Sequence, residues 1–254
     1  MDKNSLTTAM AVLGACLIIS TLFIAISFYN VKALSNNLTV TGSAEKVVMS
    51  DTVKWISNIS RNVDANSLKA GSAQLKADIA ILEDHFQKLG IKETEITINP
   101  PTISVLCENQ NNVIWDKSGN QNCAGNRISG YSLQQTIIVE SDRPKEITEI
   151  SKEAGDQLIE KGLVFATQGV EYYYNKLGDL RLELLGEATK NAKERAEKIA
   201  KSTGKDIGFL QSASQGVFQV TAKNSTDVSD YGVYDTSSIE KKVISVVRAS
   251  FVLK

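Results

Sequence analysis

The chain has 254 residues, 42% of them hydrophobic, with 28 basic against 29 acidic side chains and a formal net charge of -1. That apolar content suffices for one folded domain or two small ones and excludes a disordered chain. The near-zero charge leaves no global field to draw in nucleic acid or an anionic membrane surface.

The long uncharged run lies between Lys3 and Lys32, and its apolar heart, from Thr7 to Tyr29, is long enough to cross a bilayer as a helix. Two other readings compete with a membrane anchor. Ala33-Leu34-Ser35 would serve as a small-residue cleavage site, but the apolar region exceeds the roughly 7–15 residues of a signal peptide. Leu13-Gly14-Ala15-Cys16 resembles a lipobox, yet the chain stays apolar after Cys16, as LIISTLFIAIS. An uncleaved anchor fits best, with Cys16 a small apolar residue inside it. Lys3 and Lys32 give almost no positive-inside bias. A short tail before the span and a large domain after it is the usual form of a signal anchor. The expected layout is a cytoplasmic tail at 1–6, a transmembrane signal anchor at 7–29, a juxtamembrane linker at 30–36 and an exported domain at 37–254. In a bacterium this predicts a single-pass inner-membrane protein with its C-terminal domain in the periplasm.

From Leu38 the pattern turns to strand-like alternation. In VVMSDTVKWISNIS, Val47, Met49, Val53, Trp55 and Ile59 share one face while Ser50, Thr52, Lys54, Asn58 and Ser60 share the other, which predicts a sheet with one wet face. A helix is expected from Asp64, with Leu75, Ile79, Leu82, Phe86 and Leu89 on one side and Gly90 as its stop. His85, the single histidine, is expected to be a partly exposed residue of that helix rather than a base. TEITINPPTISVLC reads as extended chain broken at Pro100-Pro101. VIWDKSGNQN reads as a small hairpin turning at Ser118-Gly119-Asn120, with Trp115 either covering its base or exposed as a recognition element. ISGYSLQQTIIVE alternates again.

A helix capped near Ser141 or Asp142, with Pro144 in its first turn, should end at Gly162. A strand with Val170, Tyr172 and Tyr174 then leads to the longest helix, Leu177 to Thr203. Its stripe of Leu177, Leu180, Leu184, Ala188, Ala192, Ala196 and Ile199 narrows from leucine to alanine, so a neighbour should approach its C-terminal half closely. Glu194 with Lys198 and Glu197 with Lys201 have the spacing of solvent-side ion pairs. After Gly204 come a strand from Phe209 to Val220, a polar, mobile-looking connection KNSTDVSDYGVYDTSS, and a last strand VISVVRASFVL. Apolar on both faces, that last strand should be central in its sheet. The order predicts an α+β fold of mainly antiparallel sheets with helices packed on one face, preceded by the N-terminal transmembrane helix.

No catalytic constellation emerges. A single histidine leaves no Ser-His-Asp or Cys-His set, zinc spacing is absent, and there is neither a phosphate-cradling Gly-rich loop nor a Ca²⁺ loop. The expectation is no enzyme, no catalytic residue, no metal and no cofactor. Tyr172-Tyr173-Tyr174 should alternate across a strand. Core or edge packing accounts for it, and an aromatic contact surface shared with Trp115 is the sharper alternative.

Several segments together resemble one family. LTVTGSAEKV, LGIKETEI, ISGYSLQQTIIVES, EATKNAKERAEKIAKSTGKDIGFL and the terminal VISVVRASFVL are similar, in order and spacing, to the SIMPL-domain family of bacterial envelope proteins, which includes the periplasmic immunogenic proteins. The Ala-rich helix running into Gly-Lys-x-x-Gly is the most specific of these features. The resemblance implies a periplasmic or membrane-anchored α+β domain, large oligomers in some members and a link to oxidative-stress tolerance in others. It supplies no catalytic residues. The long anchor and the insertion between Cys107 and Cys123 depart from the simplest members.

The expected function is thus a non-enzymatic, membrane-anchored periplasmic protein that acts through self-association and contact with an unidentified envelope protein, with a role in envelope or oxidative-stress tolerance. The alternative is a small-molecule-binding periplasmic module. Nucleic acid is not an expected partner. Cys107 and Cys123 bound a polar, Asn-rich segment and read at first as a disulfide, half of a metal site, a redox pair or unrelated thiols. An exported location favours a structural disulfide, since no His or acidic cluster supports a metal and the spacing is far from C-x-x-C.

Overall fold

The structure, a computed structural model, describes residues 3–34, 36–109, 113–115, 117, 121–227 and 229–254. It is α+β, and its strand pairs are antiparallel in every sheet whose register is defined. Helix α1, Lys3–Leu34, contains the apolar window Val12–Tyr29, with a mean hydropathy of 2.3 and no buried residue. It is long and apolar enough to cross a membrane and fits a single-pass membrane protein.

The remainder comprises β1 (Asn37–Met49), β2 (Thr52–Asp64), α2 (Leu68–Lys88), β3 (Ile96–Ile98), β4 (Thr102–Cys107), β5 (Val113–Trp115), β6 (Gln121–Cys123), β7 (Ile128–Ser141), α3 (Pro144–Glu160), β8 (Val164–Tyr173), α4 (Leu177–Ser202), β9 (Ile207–Gln215), β10 (Gln219–Ala222) and β11 (Glu240–Leu253). The chain forms two compact units. One is Met1–Lys46, Asp179–Phe218 and Ile244–Lys254, and the other is Val47–Gly178 and Gln219–Val243. The long strands β1 and β11 each contribute residues to both.

In the second unit, β3 and β4 both pair with β7, and the order continues β7-β2-β8. Alternation sends Val53, Trp55, Ser57 and Ile59 of β2 to the buried face, where α2 and α3 supply Leu75, Leu82, Phe86, Ile147 and Leu158. Trp55 lies against Phe86 at a centroid distance of 5.0 Å, and Phe165 meets both rings edge-on. The opposite face carries the cross-strand ion pair Lys54–Glu140 and the Thr136–Asn58 hydrogen bond, as its polar residues predict. Asp64 closes β2 instead of opening a helix, because Val63 and Asp64 still pair with Tyr131 and Gly130 of β7. Gly130 permits that approach: a Cβ there would lie 2.2 Å from the Val63 carbonyl oxygen. The stop of α2 is as expected, with Gly90 at φ +86° and the Ile91 N–H donating back to Phe86.

His85 is buried, not partly exposed, and its Nε2 has no hydrogen-bond partner. The same turn that brings Phe86 into the core brings the imidazole under cover. Burial, reinforced by the Lys161 charge, lowers its pKa.

In the first unit α4 buries Leu180, Leu184, Ala188, Ala192, Ala196 and Ala200. The stripe continues at four-residue spacing onto Ala200, leaving Ile199 46% exposed. Its small end packs with Val40, Ala249 and Phe251. Gly42 marks the closest approach of strand to helix, since a Cβ there would lie 2.3 Å from both Ala188 O and Ala192 N. On the solvent side the i,i+4 ion pair is Lys193–Glu197 at 3.9 Å, in place of the two pairs expected from spacing. The predicted strand from Phe209 to Val220 is two strands, β9 and β10, separated where the Gly216 N–H donates to the Val246 carbonyl. The last strand is central, lying between β1 on one side and β9 and β10 on the other.

Candidate functional site

Three places in the second unit carry side chains that packing alone does not explain. The first is the insertion between β4 and β7, which are paired neighbours. Cys107 ends β4, Cys123 ends β6, and the two form a disulfide with a Cα–Cα distance of 5.6 Å. Cys123 is 2% exposed and pairs with Val113 in the β5–β6 ladder, which continues to Trp115 opposite Gln121. The expected turn at Ser118-Gly119-Asn120 lies outside the described residues. Ile114 is 50% and Trp115 68% exposed. Successive strand residues point to opposite sides, so each face of β5 carries one exposed apolar side chain, while Val113 is half-buried. Trp115 does not cover the base of the hairpin but is presented to solvent.

The second place is the tyrosine strand. Tyr172 is 7% exposed and joins the core, with its hydroxyl in a hydrogen bond with Thr148; it offers no contact surface. Tyr173 stacks on Tyr234 at 6.2 Å, and its hydroxyl donates to Glu171 at 2.7 Å. That bond, with burial and the carboxylate's charge behind it, pushes the Tyr173 pKa up to about 12. Tyr174 is half-buried, and its backbone N–H donates to the Tyr234 hydroxyl. Tyr234, in the connection after β10, is thus held against the tyrosine strand. Lys241, fully buried, donates to the Asp235 and Ser238 carbonyls and lies 3.4 Å from the Asp235 carboxylate. Its ammonium also lies 5.9 Å from the centre of the Tyr234 ring. Burial lowers the Lys241 pKa, with Asp235 opposing that shift. Burial raises the Asp235 carboxyl, but hydrogen bonds from Ser237 and Ser238 and the Lys241 charge hold it well below the usual carboxylate range. Within this connection Tyr231 stands 98% exposed.

The third place is a cavity of about 350 Å³ lined by Met49, Ser50, Arg143, Pro144, Lys145 and Glu146. Ser50 lies in the turn between β1 and β2, fixed by its N–H to the Ile239 carbonyl and by the Asp51 N–H to the Tyr173 carbonyl. It is 3% exposed, and its hydroxyl has no hydrogen-bond partner. Arg143 donates to Glu95 at 2.6 Å, to Glu146 at 2.7 Å and to the Gly90 carbonyl at 3.1 Å. Its Nε is buried and unpaired. Burial raises the Glu95 carboxyl, but hydrogen bonds from Ser141, the Lys92 N–H and Arg143 hold it below its ordinary value. Glu95 in turn raises the Arg143 pKa. Among the described residues no group of three or more His, Cys, Asp or Glu side chains has a metal-binding arrangement.

Ser50, Arg143, Lys241 and Tyr231 were not singled out in sequence. Each sits in ordinary strand, cap or loop chemistry, and only tertiary burial or exposure distinguishes it. Residues 38–250 match SIMPL, described as a protein of unknown function (DUF541). The chain belongs to the SIMPL family. No curated protein matches it. The matched segment begins beyond α1 and spans both units, so the disulfide-bonded insertion, the tyrosine strand and the cavity all lie within the SIMPL region.

Proposed function

We propose that this SIMPL protein is a membrane-tethered envelope component that works through protein contacts, self-association included, and not by catalysis. In this reading α1 is the anchor and the SIMPL region lies on the periplasmic side. The observation that carries the proposal is strand β5, where Ile114 and Trp115 are exposed on opposite faces while Cys123, in the paired strand, is buried and disulfide-bonded. An exposed tryptophan held on a covalently fixed hairpin loses little conformational freedom when it docks, and such aromatics are enriched among residues that dominate interface energies. A disulfide also agrees with an oxidising compartment.

The test is the mass of the full chain in detergent by light scattering, with the detergent contribution subtracted. The expected result is a species above monomer mass, reduced towards monomer by Trp115→Ser without loss of folded signal. A strict monomer at high concentration would remove self-association from the proposal. Protease accessibility of the SIMPL region in intact spheroplasts tests the periplasmic placement. The role in oxidative-stress tolerance rests on the family resemblance, and survival of cells lacking the protein under peroxide tests it.

A further inference from the structure

We propose that the open edge of β9 pairs with β9 of a second copy of this chain, antiparallel and about a two-fold axis through Ala213. This deepens the self-association reading, on which it rests, and gives it an interface separate from Trp115.

Among the described residues β9 is hydrogen-bonded to β11 alone, which leaves its other edge without a strand partner. Phe209 to Gln215 are all exposed, Phe209 at 63% and Leu210 at 45%. The Gly216 N–H still donates to Val246 of β11, so the edge runs on to Val217, which is 43% exposed. A sheet edge presents a row of backbone donors and acceptors, and folded proteins blunt it with charge, proline or bulges. From Ile207 to Ala222 the chain has no charged residue and no proline. The opposite edge of the same sheet, β1, carries Glu45 and Lys46. The register shifts of β9 against β11 fall before Ser212, and from Ser212 to Gln215 the two strands pair one for one. This stretch of edge holds nothing that repels a neighbouring strand.

The order of its residues points to the occupant. Gln211-Ser212-Ala213-Ser214-Gln215 reads the same in both directions. In a two-fold contact, where residue i of one copy meets residue j of the other, j also meets i. With the axis at Ala213, Gln211 meets Gln215, Ser212 meets Ser214 and Ala213 meets its own counterpart, so like side chains face each other across the strands. The same register sets exposed Phe209 opposite exposed Val217 at both ends, and an aromatic facing a β-branched residue is a stabilising cross-strand pair. A one-residue slip in either direction ends the Gln–Gln and Ser–Ser matches. With α1 as a membrane anchor, copies share one membrane, and the raised effective concentration suits a contact this short.

The test is disulfide trapping in membranes of cells expressing the full chain, in a Cys16→Ser background that keeps the Cys107–Cys123 bridge. Directly opposed residues of antiparallel strands have Cα atoms about 4.5–5.5 Å apart, inside the disulfide range. Ala213→Cys should therefore give a reducible dimer on oxidation with copper phenanthroline. Gln211→Cys alone and Gln215→Cys alone should not, whereas the two expressed together should. Ala213→Lys sets two ammonium groups face to face at an exposed position. By light scattering in detergent, Trp115→Ser should retain a concentration-dependent dimer, and Trp115→Ser combined with Ala213→Lys should be monomeric with an unchanged circular dichroism spectrum. Trapping through Ala213→Cys that persists with Trp115→Ser upholds the β9 contact and separates it from Trp115. A parent above monomer mass that neither cross-links through Ala213→Cys nor responds to Ala213→Lys keeps the self-association reading and overturns this interface. A strictly monomeric parent overturns both. Cross-linking of Ala213→Cys to a different protein in place of a second copy, or equal trapping by Gln211→Cys alone and Gln215→Cys alone, would also overturn it.

Discussion

Replacing Gly42 by alanine tests how strand β1 is seated on α4. The φ of Gly42 is not positive, so alanine meets no backbone penalty there. The added Cβ, however, would lie 2.3 Å from Ala188 O, 2.3 Å from Ala192 N and 2.7 Å from Ala192 Cα. These are backbone atoms and cannot rotate away. Restoring an ordinary contact requires about 1 Å of separation between strand and helix, and overpacking of this kind costs about 1–3 kcal/mol. The reduced freedom of the unfolded chain returns roughly 0.4–1 kcal/mol, leaving a net loss of about 1–2 kcal/mol. Gly186 is the internal control: it is an exposed position within α4, and a Cβ there meets nothing within 4 Å. Gly186→Ala should therefore stabilise by up to about 1 kcal/mol. Urea unfolding of the full chain in detergent, followed by circular dichroism, should place the Gly42→Ala midpoint below the parent and that of Gly186→Ala above it. A Gly42→Ala midpoint equal to or above the parent would refute the close seating of β1 on the alanine stripe.

Replacing both Cys107 and Cys123 by serine, which opens a loop closed over a sequence separation of 16, should cost about 3 kcal/mol in urea unfolding. The unreduced, denatured parent should show one reactive thiol, Cys16, the free cysteine; three reactive thiols would remove the staple. Asp235→Asn should flatten the acid side of the stability profile. The depressed carboxyl stabilises the fold fully above about pH 4 and loses that contribution as pH falls through its folded pKa, so an unchanged acid slope in urea titrations would argue against the Lys241–Asp235 network. In the folded parent one tyrosine should ionise late, near pH 12, by tyrosinate absorbance, and Tyr173→Phe should abolish that step. Because this pKa is raised, its stabilising contribution is complete below about pH 10 and is lost as pH rises through 12.

Periodicity made most of the fold legible. The Leu75-Ile79-Leu82-Phe86 stripe, the alternation around Trp55 and the doubly apolar last strand record one- or two-sided burial directly in residue order. The leucine-to-alanine taper of α4 announced a close neighbour, although the sequence could not say that Gly42 would supply it. Errors fall where tertiary pairing overrides local signal. Asp64 reads as the start of a helix but stays in β2 because β7 runs alongside, and His85 reads as partly exposed but its turn is drawn into the core. The candidate sites were less legible. The cysteine pair and Trp115 stood out by type, whereas Ser50 and Arg143 are common residues whose significance lies in an unpartnered atom next to a cavity.

The contrast between Lys241 and Ser50 separates the two uses of buried polarity in this fold. Lys241 is wholly buried, yet its ammonium meets two carbonyls and a carboxylate. An ion satisfied in that way holds Asp235 and Ser238 against β11 and needs nothing from outside. Ser50 is nearly as inaccessible, and its backbone is held in place, but its hydroxyl has no partner. His85 Nε2, Gln219 Oε1 and Ser245 Oγ are also buried and unpaired, but none of these residues lines the cavity at α3. Ser50 belongs to the wall of that cavity beside Arg143, whose Nε is also unpaired, yet both atoms are closed to water.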